Sequence, residues 1–210
     1  MNPSNIHTMN ITALNPNNLR VANLHGRNLH LMNLHTLEIP SPLGQLRLFA
    51  RADALCGVYL PAQPAPTASP APRDPLLLRA AQQLHEYFAG TRQQFDIPLH
   101  LEGTDFQRRV WQALREIPFA ATRSYAELAA AIDHPRAVRA VGTANGKNPI
   151  SIIVPCHRVL GSDGSLTGYA GGPPAKRWLL DHEARSAARA SAPSHLRAPA
   201  NSSAALPPRP

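Results

Sequence analysis

Apolar and polar residues alternate along residues 37–60, the first patterned stretch of the chain. The apolar members include Leu46, Leu48, Val58 and Leu60. A period of two is typical of strands with one buried face, so we predict two or three short strands, with a turn at residues 41–44. Cys56 falls inside this predicted sheet, where we expect it to pack as a small apolar side chain.

Beyond the predicted sheet, the apolar period changes to that of a helix. Residues 61–75 contain six prolines and predict a loop. The residues that recur at helical spacing after the loop are Leu77, Ala80, Ala81, Leu84 and Phe88. Gly90 is placed to end this helix. We therefore predict a small N-terminal α/β domain over residues 37–97, with no titratable cluster of its own.

Residues 98–185 have the pattern of a mainly helical domain. Thr104 with Gln107, and Ser124 with Glu127, are spaced as capping boxes at helix N-termini. The predicted helices run from residue 104 to before Pro118, from 124 to 131, from 136 to about 145, and from 174 to 183. The second and third are short and joined by a tight turn at residues 133–135, which predicts a helix-turn-helix.

The third predicted helix has two distinct faces. Its small apolar residues, spaced at i, i+3, i+4 and i+7 and expected to face the core, are Ala137, Ala140, Val141 and Ala144. Arg139 lies about 200° from Ala137 around the helix axis and is predicted to point outward. An outward arginine is commonly a solvated surface residue, but within a helix-turn-helix we expect a DNA contact.

Both ends of the chain differ from the middle. In residues 1–36, Asn-Leu-Arg occurs once and Asn-Leu-His three times at intervals of five, and residues 186–210 are rich in Ala, Ser and Pro. We predict that both segments are disordered. The histidines of the repeat do not share one helical face and have no acidic or cysteine neighbour, which argues against a metal site.

Charge and cysteine content narrow the class of protein. Of the net charge of +8, the two tails supply five arginines and no acidic residue, so the middle is only modestly basic. This excess fits a small nucleic-acid footprint. Two cysteines cannot form a disulfide framework or a cysteine-rich zinc site. The chain has no apolar run near 18 residues and no secretory leader, so we expect a cytoplasmic protein without a membrane span.

The segment 148–159 offers the clearest chemistry. Its β-formers at residues 150–154 predict a buried strand that Pro155 ends, which places Cys156 and His157 at a rigid turn. An adjacent imidazole can take the thiol proton, and the thiolate is the nucleophile. A cysteine hydrolase would use the same residue types, although its catalytic residues normally come from distant segments. A helix-turn-helix regulator without catalysis would leave the Cys-His pair without a role.

The run Pro155-Cys156-His157-Arg158-Val159 resembles the active-site motif of the O6-alkylguanine-DNA alkyltransferases, the methylated-DNA–protein-cysteine methyltransferases, and is closest to their bacterial Ogt branch. Further segments that keep the family order and spacing are Ser124–Ala129, Arg139–Gly142, Gly168–Gly172 and Lys176–Glu183. The resemblance covers about residues 37–185. It implies an α/β chain with a ribonuclease-H-like N-terminal domain and a helical C-terminal domain that contains the helix-turn-helix.

The resemblance also implies catalytic roles. Cys156 would accept the alkyl group from O6 of guanine, or from O4 of thymine, in a single irreversible turnover. His157 would act as base through a bridging water and be oriented by Glu183, while Asn148 would brace the turn. Tyr125 would offer its hydroxyl to the leaving guanine. The residues that would bind the base are Tyr169, Ala170, Val159 and Lys176.

The resemblance implies that the protein is a monomer and that its partner is double-stranded DNA, which it binds from the minor groove. Arg139 would fill the gap left by the extruded nucleotide, and Tyr125 would help to push that nucleotide out of the stack. Arg136, Ala137 and Ala140 would lie against the DNA. No cofactor is implied. Some family members bind zinc in the N-terminal domain, but the first half of this chain offers only Cys56, so we expect none. The alternative function is helix-turn-helix DNA binding without alkyl transfer.

Overall fold

The computed structural model describes residues 34–61 and 63–191. Residues 1–33 and 192–210, which were predicted to be disordered and include most of the histidine repeat, lie outside the described residues. Within the described part, no helix is long and apolar enough to cross a membrane.

A four-stranded sheet forms the first part of the described chain. Its strands are β1 (Leu34–Ile39), β2 (Leu46–Arg51), β3 (Ala54–Tyr59) and β4 (Ser69–Pro70), in the order β3-β2-β1-β4. The first three pair as an antiparallel meander, and β4 pairs parallel to β1. Gly44 closes the turn between β1 and β2 at a φ of 95°, in the left-handed region that favours glycine. The prediction of two or three short strands is confirmed, whereas β4 lies in the segment predicted as a loop.

Helix α1 (Pro75–Phe88) packs on this sheet. Asp74 accepts hydrogen bonds from the backbone N–H groups of Leu76 and Leu77, which satisfies two free donors at the helix start. The buried residues shared by sheet and helix include Leu46, Leu48, Val58, Leu77, Ala80, Ala81 and Leu84. Phe88 was predicted to complete the stripe but is only partly buried, and Tyr87 is the fully buried aromatic residue instead.

The second part is mainly helical, as predicted. It contains α2 (Asp105–Arg115), α3 (Tyr125–Ala131), α4 (Val138–Gly146) and α5 (Gly172–Ser191), with the short strands β5 (Arg123–Ser124) and β6 (Val159–Leu160) paired in parallel. Both predicted capping boxes are formed. The indole N–H of Trp111 in α2 donates to the carbonyl of Ala144 in α4 at 2.8 Å. This bond fixes α4, the second helix of the helix-turn-helix, against the domain.

Two predictions of disorder are wrong at their inner ends. Strand β1 begins at Leu34, which pairs with Arg51, so residues 34–36 are ordered by the sheet. Helix α5 continues to Ser191, beyond the predicted end at residue 183. Ser186, in the added turns, is buried and lies close to Gly90, just after α1.

The face of α4 also differs from the prediction at one residue. The buried side chains are Val141, Ala144 and Asn145, and Ala140 is exposed. The centre of the buried face lies near Val141, and Ala140 is about 100° away from it around the helix. Small residues alone could not distinguish the core face from its edge.

Candidate active site

A tight turn, and not the predicted strand, carries the reactive segment. Ile152 has a φ of 74°, which reverses the chain, and the N–H of Val154 donates to the carbonyl of Ile150 at 3.0 Å. The turn docks on β3, where the N–H of Val58 donates to Pro149 at 2.9 Å. The apolar run is buried, as predicted, but a short buried run does not by itself distinguish a strand from a buried turn.

Asn148 supplies the polar partners that this turn needs. Its side-chain oxygen accepts from the N–H of Ile150 at 3.0 Å, and its amide nitrogen donates to the carbonyl of Val154 at 2.8 Å. The same amide nitrogen lies 3.0 Å from Sγ of Cys156. One buried side chain therefore braces the turn and positions the sulfur.

Cys156 opens a 3₁₀ turn (Cys156–Arg158) and is only 2% exposed. Burial raises the pKa of its thiol to about 11, although the amide of Asn148 and the charge of Lys176 act in the opposite direction. The resting residue is therefore the protonated thiol at neutral pH. A nucleophilic role for Cys156, as predicted, therefore requires a base that removes the thiol proton.

His157 is placed to be that base. Its Nε2 lies 2.8 Å from Oε1 of Glu183, and both side chains are fully buried. Burial lowers the pKa of the His157 ring, so the ring is neutral at neutral pH, although Glu183 opposes this shift. Because the carboxylate only accepts, Nε2 carries the hydrogen and Nδ1 has the free lone pair. Nδ1 is buried and has no hydrogen-bond partner among the described residues.

Glu183 is the best-connected side chain of the site. Besides His157, its carboxylate accepts from Arg158 Nε and Nη2, both at 2.9 Å, from the Tyr87 hydroxyl at 2.8 Å and from the N–H of Ala120 at 3.0 Å. Burial alone would raise the pKa of Glu183, but the hydrogen bonds and charges of His157 and Arg158 outweigh burial and hold the pKa well below its usual range.

Of these partners only His157 was predicted from the sequence; the two other side chains, Arg158 and Tyr87, and the N–H of Ala120 were not. Arg158 belongs to the motif at residues 155–159, so an ion pair between it and Glu183 could have been suspected from the resemblance. Tyr87 gave no signal, since the predicted apolar stripe of its helix contained Phe88 instead, and periodicity does not identify the partner of a hydroxyl group.

A second set of polar side chains surrounds Lys176. Lys176 donates to the carbonyls of Val159 and Thr167, the latter at 2.7 Å, and burial lowers its pKa to about 8. The Tyr125 hydroxyl donates to the same Thr167 carbonyl at 2.9 Å, and the lysine lies 5.8 Å from the centre of the Tyr125 ring. Tyr169 is buried, and its ring centre is 6.4 Å from that of His157.

Asn145 links this group to α4, a contact that the sequence analysis did not predict. Its amide donates to the carbonyl of Gly168 at 3.1 Å and lies 3.4 Å from the carbonyl of Cys156. The remaining predicted base-binding residue, Ala170, is exposed and lines, with Asn148, a cavity of about 220 Å³.

The predicted DNA-contacting residues on α4 and just before it do not join the cysteine. Arg136, Arg139 and Ala140 are exposed along the start and outer face of α4, and Ala137 is half-buried at its N-cap. In the described residues, no group of three or more His, Cys, Asp or Glu side chains is placed to hold a metal ion.

Two family models divide the described chain between them. The ribonuclease-like domain of 6-O-methylguanine DNA methyltransferase matches residues 35–101, and the DNA binding domain of the same enzyme matches residues 105–185. A methylated-DNA–protein-cysteine methyltransferase of Mycobacterium tuberculosis is 50% identical over 147 residues, which are 69% of this chain and 89% of that protein. The chain belongs to the O6-methylguanine DNA methyltransferase family.

Other members of the family agree with this assignment. The constitutive methylated-DNA–protein-cysteine methyltransferase of Bacillus subtilis is 59% identical over 97 residues, 46% of this chain and 59% of that protein. The crystal structure of M. tuberculosis OGT in complex with DNA superposes with a TM-score of 0.70 at 49% identity, and the match covers 72% of this chain and 94% of that one. The fold predicted from the sequence is therefore confirmed. It consists of a ribonuclease-like sheet domain followed by a helical DNA-binding domain.

Proposed function

We propose that this protein repairs O6-methylguanine in DNA by moving the methyl group, once and irreversibly, to Sγ of its own Cys156. The observation that carries the proposal is the buried pair of His157 and Glu183, whose Nε2 and Oε1 atoms are 2.8 Å apart. His157 directly follows Cys156 in the chain, and the amide nitrogen of Asn148 lies 3.0 Å from the sulfur of that cysteine. This arrangement lies in the segment that matches the family's DNA-binding domain, and the relatives are named for transfer from methylated DNA to a protein cysteine.

The first step is removal of the thiol proton. A thiol with a pKa of about 11 is a weak nucleophile at neutral pH, so transfer requires a local base. The proton moves from Sγ to Nδ1 of His157 through a bridging water. The resulting imidazolium is stabilised by the Glu183 carboxylate to which Nε2–H already donates.

In the second step the thiolate attacks the methyl carbon. The C–S bond forms, the bond from the methyl carbon to O6 breaks, and the guanine leaves with the electron pair. Burial raises the pKa of Tyr125 to about 12, which keeps its hydroxyl protonated and able to donate to the leaving base, with Lys176 beside it. A thioether is a poor leaving group, so each molecule reacts once.

Access to the methyl group requires that the nucleotide leaves the base stack, at a cost of roughly a few kcal/mol. We assign this step to the exposed side of α4, where Arg139 fills the gap and Arg136, Ala137 and Ala140 face the minor groove of duplex DNA. The base would then lie against Tyr169, Ala170 and the backbone of Val159. The same pocket would admit O4-alkylthymine.

The organisation and setting of the protein follow from this chemistry. We propose that residues 37–97 and 98–185 act as two domains of a monomer. A free nucleophilic thiol persists where thiols are kept reduced, so we place the protein in the cytoplasm.

The decisive experiment mixes the protein with a duplex oligonucleotide that contains methyl-labelled O6-methylguanine. The label should move to the peptide that contains Cys156 with one-to-one stoichiometry, and Cys156→Ser should abolish transfer while DNA binding remains. Cys56→Ser is the matched control, because that half-buried thiol lies in the sheet and points its hydrogen at the carbonyl of Phe49. Repeated turnover would contradict the proposal, and tight binding without capture of label would favour the DNA-binding alternative.

A further inference from the structure

The carboxylate of Glu183 receives a hydrogen bond from the N-terminal segment of the described chain. Tyr87, in α1, donates its hydroxyl to Oε1 of Glu183 at 2.8 Å, the same oxygen that lies 2.8 Å from Nε2 of His157. Tyr87 belongs to the segment that matches the ribonuclease-like domain, whereas His157 and Glu183 belong to the segment that matches the DNA-binding domain. The N-terminal segment therefore reaches the catalytic pair through one hydroxyl group.

The surroundings of Tyr87 fix the direction of that hydroxyl. The side chain is fully buried, and its ring packs at 5.2 Å from the ring of His182 and edge-on at 6.2 Å from Phe119. The backbone carbonyl of Tyr87 also lies 2.7 Å from Nε2 of His182, the residue before Glu183. Tyr87 and the Glu183 segment are thus joined by two hydrogen bonds, one from the backbone and one from the side chain.

We propose that Tyr87 is a positioning residue for methyl transfer, whose hydroxyl orients the Glu183 carboxylate and takes up part of its charge so that His157 remains a neutral base at neutral pH. The inference rests on the proposed function, since it concerns the base that would activate Cys156.

The Tyr87 hydroxyl and Nε2 of His157 compete for the same oxygen of Glu183. Oε1 of Glu183 accepts hydrogen bonds from three donors: Nε2 of His157, the Tyr87 hydroxyl and Nη2 of Arg158. A carboxylate oxygen that accepts three hydrogen bonds offers less charge to each donor than one that accepts two. Removal of the Tyr87 hydroxyl leaves Oε1 freer to stabilise the imidazolium form, so His157 becomes more basic. The charged and titratable groups around the ring are Glu183, Arg158, Lys176, Cys156, Tyr169 and Tyr87. All but the last are unchanged by the substitution.

The test is Tyr87→Phe, which keeps the ring and removes the hydroxyl. Rates of methyl transfer to Cys156 from a duplex that contains O6-methylguanine are measured from about pH 5 to about pH 9, the range in which a histidine titrates. The pH of half-maximal rate should rise by up to about one unit, with transfer about three- to tenfold slower on the acid side. A fluorinated tyrosine at position 87, a stronger donor, should move the midpoint the other way.

The control is Thr91→Val, which removes an exposed hydroxyl just after α1 that donates to the carbonyl of Glu86 at 3.0 Å. Because each molecule reacts once, the amplitude counts active molecules and the rate constant is independent of how many have folded. A Tyr87→Phe midpoint equal to that of the wild type would overturn the inference. Absence of methyl on Cys156 in both wild type and control would instead overturn the proposed function.

Discussion

The two working surfaces of this molecule are built in opposite ways. The chemical centre is sealed: Cys156, His157 and Glu183 are at most 2% exposed, and the carboxylate accepts from several donors. The outer face of α4 is open, with Arg136 and Arg139 exposed. The contrast fits the proposed division of labour, in which the buried groups form and break bonds and the exposed groups bring DNA to them.

The buried residues around Glu183 stabilise one another through paired charges and hydrogen bonds. A buried charge is costly unless it is paired and hydrogen-bonded, and Glu183 satisfies Arg158, His157 and Tyr87 at once. Such a centre is rigid, and loss of one member should affect both folding and chemistry. The exposed residues of α4 have few fixed partners, and their loss should affect only the encounter with DNA.

Replacement of the central carboxylate should therefore have the largest effect. Glu183→Gln leaves the guanidinium of Arg158 buried without its counter-charge, and we expect a loss of about 3 kcal/mol or more in the free energy of unfolding. Methyl transfer should fall at least about a hundredfold, because His157 loses the group that stabilises its charged form. Urea denaturation and single-turnover rates measure the two effects. Glu38→Gln is the control, because Glu38 is an exposed residue of β1.

The same carboxylate predicts how stability depends on pH. The folded pKa of Glu183 is lowered, whereas that of an unfolded glutamate is about 4.3. Its contribution is therefore complete above the unfolded pKa and is lost as the pH falls below that value toward the folded pKa. The free energy of unfolding should decline less steeply with acid in Glu183→Gln than in the wild type. If the free energy of unfolding fell equally steeply with acid in both proteins, the hydrogen-bond network would not keep Glu183 ionised in the folded state.

Replacement on the open face should separate binding from chemistry. Arg139→Ala is expected to slow transfer from duplex DNA by at least about tenfold, because a base-stack gap left unfilled costs roughly a few kcal/mol. Its rate with free O6-alkylguanine and its stability should match the wild type. Arg79→Ala removes the same charge from an exposed ion pair with Asp96 and should change neither rate. Equal losses on both substrates would contradict the assigned role of Arg139.

The same contrast explains what could be predicted from the sequence. Periodicity and capping boxes gave α1, α2 and α3 because those signals are local, and the recognised motif indicated Cys156, His157 and Glu183. The turn at residues 150–154 was predicted as a strand, because burial of an apolar run does not reveal that Asn148 satisfies its backbone. The Tyr87 hydroxyl, 96 residues from Glu183 in the chain, is a tertiary contact that no local pattern indicates.

The smallest expected effect tests whether stability and chemistry are separable outside the sealed centre. Thr104 caps α2, and its hydroxyl accepts from the N–H of Gln107 at 3.2 Å while the Gln107 side chain accepts from the N–H of Thr104 at 2.9 Å. Thr104→Ala removes one half of this exchange and should cost about 1 kcal/mol in urea denaturation, whereas Thr104→Ser should retain most of it. The transfer rate should be unchanged in both, because the exposed Thr104 hydroxyl bonds to the start of its own helix and, among the described residues, not to the active-site turn. A slower transfer in Thr104→Ala alone would mean that the position of α2 also sets the geometry of the active-site turn.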